Sequence, residues 1–214
     1  MACLSSLTFA DSLELRTLQL DKQEMPDLYV NGAEGPELLS FSSIQPSALL
    51  QVDKTDPLVL YRQVKDGNGG LDYKQAFKVD IPDSAEGILL LAWKVSGKEK
   101  FMAIKDHFSK AKADQWLMIN TSDRAIAFQV GAKTKPVLIK PSSIHIFDVK
   151  AQKGKGAAIM AKASIDQEIK TIYSTFWPVY AGKRLVVIIS NTGEKIRVKP
   201  IFDTIPIREN NESE

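Results

Sequence analysis

Leu185-Val186-Val187-Ile188-Ile189 runs into Ser190-Asn191-Thr192-Gly193, and Lys195-Ile196-Arg197-Val198-Lys199 follows. The first run is apolar on both faces of an extended chain, the middle favours a turn, and the last alternates cations with apolar side chains. That is a buried strand, a turn, and a partner with one wet and one dry face. The same grammar recurs along the chain. It predicts a mainly β, largely antiparallel protein with β-sandwich architecture, immunoglobulin-like or jelly-roll-like, in two packed subdomains.

Working outward, Leu13 to Leu20 reads as a strand whose alternation breaks at Thr17-Leu18, where a bulge fits. Short strands are expected around Leu28-Tyr29-Val30 and Leu38-Leu39-Ser40-Phe41, with turns at Asn31-Gly32 and Gly35-Pro36. Leu58 to Tyr61 and Tyr73 to Ile81 flank the glycine-rich Asp66-Gly67-Asn68-Gly69-Gly70, a hairpin signal. Gly87 to Val95 is a more continuous apolar run, interrupted by Lys94, and suits a central strand covered on both sides. Lys105 to Asp114 is polar and suits a loop or a short surface helix.

Beyond it, strands are expected at Gln115 to Thr121, Ala125 to Val130, Val137 to Lys140 and Ser143 to Val149. The turn Gln152-Lys153-Gly154-Lys155-Gly156 opens into a strand over Ala157 to Ser164 despite its alanines. Ile165, Ile169, Ile172, Tyr173 and Phe176 fall near helical spacing, yet Thr171, Ile172, Thr175 and the aromatic residues favour a strand over Glu168 to Phe176. Ser96-Gly97-Lys98 interrupts two apolar stretches. It suggests domains at 1–95 and 96–205 with a flexible tail at 206–214, unless Gly97 merely turns a hairpin. No internal repeat shows by residue identity.

The chain of 214 residues, 44% hydrophobic and 25% charged, has the composition of a folded globular protein. Lys+Arg 28 against Asp+Glu 26 gives +2, too little excess to point to nucleic acid. The Lys195, Arg197, Lys199 stripe reads as a solvated strand face. Cys3 is the only cysteine, so an intrachain disulfide is impossible. Ala2-Cys3 resembles the end of a bacterial lipoprotein processing site. A periplasmic or envelope location is therefore expected if a leader was removed, and a cytoplasmic one otherwise. No run reaches membrane-spanning length.

The chemistry-bearing residues form no catalytic set. Asp66, Asn68 and Asp72 alternate oxygens as a calcium loop does, but Gly70 and Phe77 stand where ligands belong, so a plain hairpin loop is expected. His107 and His145 without cysteines make no zinc site. His145 is expected on the wetter face of its strand, with Ser143 beside it and Asp148 as the carboxylate that could approach it. No metal and no cofactor is expected. Trp177-Pro178-Val179-Tyr180 is the sharpest binding candidate, because proline fixes the backbone beside two aromatic rings. Trp177, Tyr180, Tyr173 and Trp116 are the candidate binding residues. A buried Trp177 would return them to packing.

Two sequons, Asn120-Thr121-Ser122 and Asn211-Glu212-Ser213, are weak glycosylation signals. The expected function is a non-enzymatic module that binds a protein or a cell-envelope component. Two alternatives are a carbohydrate-active or other hydrolytic enzyme with carboxylates gathered in a cleft, and a structural subunit joined through strand edges. Trp177-Pro178 and the Arg184 to Ile189 segment resemble those of bacterial extracytoplasmic β-sandwich proteins. That resemblance implies a β-sandwich at the envelope and carries no activity or catalytic residue.

Overall fold

A computed structural model describes residues 12–67, 69–112, 114–149, 156–180, 182–192 and 195–205. Cys3, the tail at 206–214, the Asn211 sequon, Asn68, Gln152 to Lys155 and Gly193 lie outside them. Among the described residues the regular structure is β, apart from one 3-10 turn at Phe108–Lys110. Among the same described residues no helix is long and apolar enough to cross a membrane.

The chain divides between His107 and Phe108. The first unit holds β1 (Ser12–Gln19), β2 (Tyr29–Gly32), β3 (Gly35–Leu38), β4 (Leu50–Asp53), β5 (Leu58–Lys65), β6 (Leu71–Val79), β7 (Gly87–Val95) and β8 (Lys98–Lys105). The second holds β9 (Gln115–Asn120), β10 (Ile126–Val130), β11 (Val137–Ile139), β12 (Ser143–Asp148), β13 (Ala157–Ile165), β14 (Glu168–Trp177), β15 (Lys183–Thr192) and β16 (Lys195–Thr204). A break at 95/96 is corrected by this pairing. Ser96 and Gly97, with φ of 50° and 77°, turn the β7–β8 hairpin, which sets Val95 opposite Lys98.

In the second unit two four-stranded sheets, β12-β9-β15-β16 and β11-β10-β13-β14, enclose one core. In the first, β4-β1-β7-β8 and β3-β2-β5-β6 are joined where Gly32 meets Val52, giving one curled eight-stranded sheet around its own core. Its far edges approach each other: Phe77 of β6 lies 4.8 Å from Phe101 of β8, and Arg62 of β5 pairs with Glu99 of β8 at 3.3 Å.

The two units have one topology. Counting within each, strands 4-1-7-8 form one layer and 3-2-5-6 the other, and the first strand runs parallel to the seventh. These parallel pairs qualify the antiparallel expectation. The agreement reaches single residues. Leu20 N–H donates to Ala92 O at 2.9 Å, and Thr121 N–H to Ile189 O at 2.8 Å, at matching ends of the parallel pairs. The fifth strand shifts register at Leu60/Tyr61 in one unit and Ala161/Lys162 in the other, leaving Ala76 and Ile172 as the extra residues.

The cores follow the same map. Matching positions are Leu15 and Trp116, Leu28 and Ile126, Val30 and Phe128, Leu39 and Ile139, Val52 and Val149, Leu58 and Ile159, Leu60 and Ala161, Ile88 and Leu185, and Leu90 and Val187. The sizes are redistributed. The second unit takes Trp116, Phe128 and Trp177 into its core and makes room with Ala157, Ala161 and Ala163, which explains alanines in a buried strand.

Each unit also buries an arginine–aspartate pair. Asp106 and Asp203 hold the same place at the end of the last strand. Arg184, facing Asp203 across the hairpin, reaches it at 2.9 Å. The position facing Asp106 is Gly87, and Arg16 of the adjoining β1 reaches that carboxylate at 2.8 Å instead.

Candidate functional site: the cleft beside β3 and β4

The four expected binding residues do not meet on a surface. Trp116 and Trp177 are buried, with ring centroids 5.8 Å apart, and Phe128 packs 6.2 Å from Trp177. Half-buried Tyr173 covers Trp177, whose indole N–H donates to the Tyr173 hydroxyl at 3.3 Å. Tyr180 is exposed and stands edge-on to Phe202 at 5.2 Å. Packing therefore explains Trp116 and Trp177: they supply the bulk that the alanines of β13 leave unfilled.

The other candidates resolve similarly. Asp66 accepts from Gly70 N–H at 2.6 Å and Asp72 from Tyr73 N–H at 2.8 Å, closing a hairpin loop. His145 is corrected to the drier face. It faces Met118 and stacks edge-on against Phe147 at 4.6 Å, while Ile144 and Ile146 point outward. Asp148 lies on the opposite face and accepts from the Gln115 side chain at 3.1 Å. No group of three or more His, Cys, Asp or Glu that could hold a metal occurs among the described residues.

The units differ between their third and fourth strands. In the second, Lys140 to Ser142 carry β11 into β12, and β12 pairs with β9 as far as Ser143 opposite Asn120. The Asn120 side-chain amide donates to Ile139 O, Lys140 O and Arg124 O at 3.0, 3.1 and 2.8 Å, closing that end of the unit.

In the first unit Leu39 to Leu49 make the same connection, and β4 pairs with β1 only from Leu50. β2 and β3 form a tight hairpin across Ala33-Glu34, with Asn31-Gly32 and Gly35-Pro36 inside strands rather than in turns. Pro36, which lacks an N–H, is tolerated because β3 pairs only with β2. Past the single β2–β4 contact the strands part. Glu34 to Glu37 form one wall and Leu49 to Gln51 the other of an open groove of about 590 Å³. A smaller cavity of about 150 Å³ lies alongside, based on Leu15 and Thr17 and walled by Leu38, Leu39, Leu49 and Leu50.

The connection is fastened to β1. Thr17 N–H donates to Ser47 Oγ, Ser47 N–H to Thr17 O and Gln19 N–H to Ser42 O, each at 2.9 Å, and the Thr17 hydroxyl donates to Ser40 O. These bonds hold the rim while leaving Leu38, Ile44 and Leu49 at 55%, 80% and 42% exposure. Apolar side chains displayed on a hydrogen-bonded frame suit docking more than folding, since covering each stabilises by about 1–2 kcal/mol.

The carboxylates of the groove share one wall. The Glu37 carboxyl occupies the space that a Cβ on Gly32 would need, so Gly32 lets it fold over the strand. Glu34 and Glu37 make no ion pair among the described residues. The facing wall offers Leu49, Leu50 and the amide of Gln51, and no opposed carboxylate of the kind glycoside hydrolysis requires. Sequence reasoning missed this cleft. Its one signal was the presence of Leu49 in a serine- and proline-containing connection.

No protein family and no curated protein matches the chain.

Proposed function

We propose that the chain is a non-enzymatic binding module that captures an apolar side chain of a protein partner in the cleft beside β3 and β4. What carries this reading is the comparison between units. Where one closes the junction of its third and fourth strands with Asn120, the other opens it, adds chain, and shows Leu38, Ile44 and Leu49 to solvent. A cavity of about 150 Å³ is below the roughly 300 Å³ at which pockets for drug-sized ligands begin, and it suits a single aliphatic side chain.

The test is selection of random decapeptides displayed on phage against the intact chain, with counter-selection on Leu49→Asp. Peptides that bind the parent and lose at least about tenfold in affinity on Leu49→Asp support the reading, because that change removes roughly 1.4 kcal/mol or more. Peptides that bind both proteins equally contradict it. Unchanged unfolding of Leu49→Asp keeps the comparison clean, as expected of a 42% exposed position.

A further inference from the structure

We infer that the partner segment recognised at this cleft carries a lysine or arginine next to the apolar side chain it inserts. The inference rests on the binding reading above and adds the chemistry of the occupant. Cavity and groove share Leu49 and Leu50, so a residue seated in the first has its chain neighbours over the second. There they meet Glu34 and Glu37, both without an ion-pair partner among the described residues, and no basic side chain lines the groove. A cation is the one charge that complements this wall.

The free edge of β3 offers little alternative. Pro36 removes a backbone donor from it, so an added strand would leave its own acceptor unmatched there. Recognition therefore runs through side chains: an aliphatic group below and a cation above. The butyl stem of a lysine or the propyl stem of an arginine can lie along Pro36 and Leu49 while its head reaches the carboxylates.

The experiment uses the decapeptides that bind the parent and are lost on Leu49→Asp, and measures them on Glu34→Gln/Glu37→Gln. The expected pool is enriched in lysine or arginine within two positions of a leucine, isoleucine or valine. Its affinity falls about fivefold on the double variant, the effect of two exposed ion pairs. It also weakens between 50 mM and 500 mM salt as screening shortens from about 14 Å to about 4 Å. A pool without basic enrichment, unaffected by the double variant, overturns the inference and leaves the apolar docking reading standing. Indifference of every peptide to Leu49→Asp removes both.

Discussion

Asn120 performs in the second unit the task Gln19 performs in the first: each donates its side-chain amide to the backbone carbonyl four residues ahead, Arg124 and Gln23. Both sit at the end of the strand that runs parallel to the seventh of its unit. Asn120 goes further and donates to Ile139 O and Lys140 O, and it accepts from Ser122 N–H at 3.0 Å. The shorter amide thereby ties off a connection that the first unit leaves open.

Asn120 is 0% exposed, so its loss strands several buried carbonyls. Asn120→Ala is expected to destabilise the second unit by roughly 2–4 kcal/mol. The shift in guanidinium midpoint, followed through the fluorescence of Trp116 and Trp177, measures it. A change under about 0.5 kcal/mol would show that water replaces the amide without cost.

Phe128 faces Ala161 across β10 and β13. In the first unit Tyr29 faces Tyr61, which brings Val30 opposite Leu60, the same pair with its large member on the other strand. Ala161→Leu alone should overpack the core at a cost of about 1–3 kcal/mol, and Phe128→Val alone should open a cavity at a similar cost. The double variant copies the first unit. It should recover at least about 1 kcal/mol relative to the sum, a coupling that a double-mutant cycle reads directly. Strict additivity would refute the positional equivalence.

Gly156 has φ +110°, and a Cβ there would occupy the place of the Trp177 carbonyl and press on the Pro178 backbone. Gly156→Ala is expected to cost on the order of 2 kcal/mol or more, from backbone strain and displacement of the last residue of β14. Thermal unfolding checks it. A neutral result would mean that the β13–β14 end relaxes freely.

Much of this fold was legible because alternation is a local property. The buried run of β7 and the strand from Glu168 could be read from local side-chain character, whereas Ser190, Asn191 and Thr192, expected in a turn, continue β15 opposite Arg197, Ile196 and Lys195. The errors arose where neighbouring elements decide. Thr17 and Leu18 break the alternation because both faces of β1 are covered; its pairing with β7 runs from Glu14 to Gln19 without a bulge. Ile144 and Ile146 look like the dry side of β12, yet register with Trp116 and Met118 turns Phe147 and His145 inward.

The shared topology of the two units leaves no identity in the sequence, because each core fills its volume over groups of positions and not at each one. Leu60 stands where the second unit has Ala161, and Leu15 where it has Trp116. Arg16 and Arg184 serve equivalent aspartates from different strands, which erases identity at the buried charges as well. The cleft left no pattern, since exposed leucines in a connection resemble those of a short strand until the pairing is known.

The proposed function requires that the longer β3–β4 connection build its cleft on a frame that stands without it. Replacing residues 40–45 with Lys-Pro-Ser, the linkage used between β11 and β12, tests it in one protein. Cooperative unfolding within a few degrees of the parent, on the order of 1 kcal/mol, is expected together with loss of the decapeptides selected on the parent. Undiminished peptide binding by the grafted chain, or its failure to fold, would contradict the account.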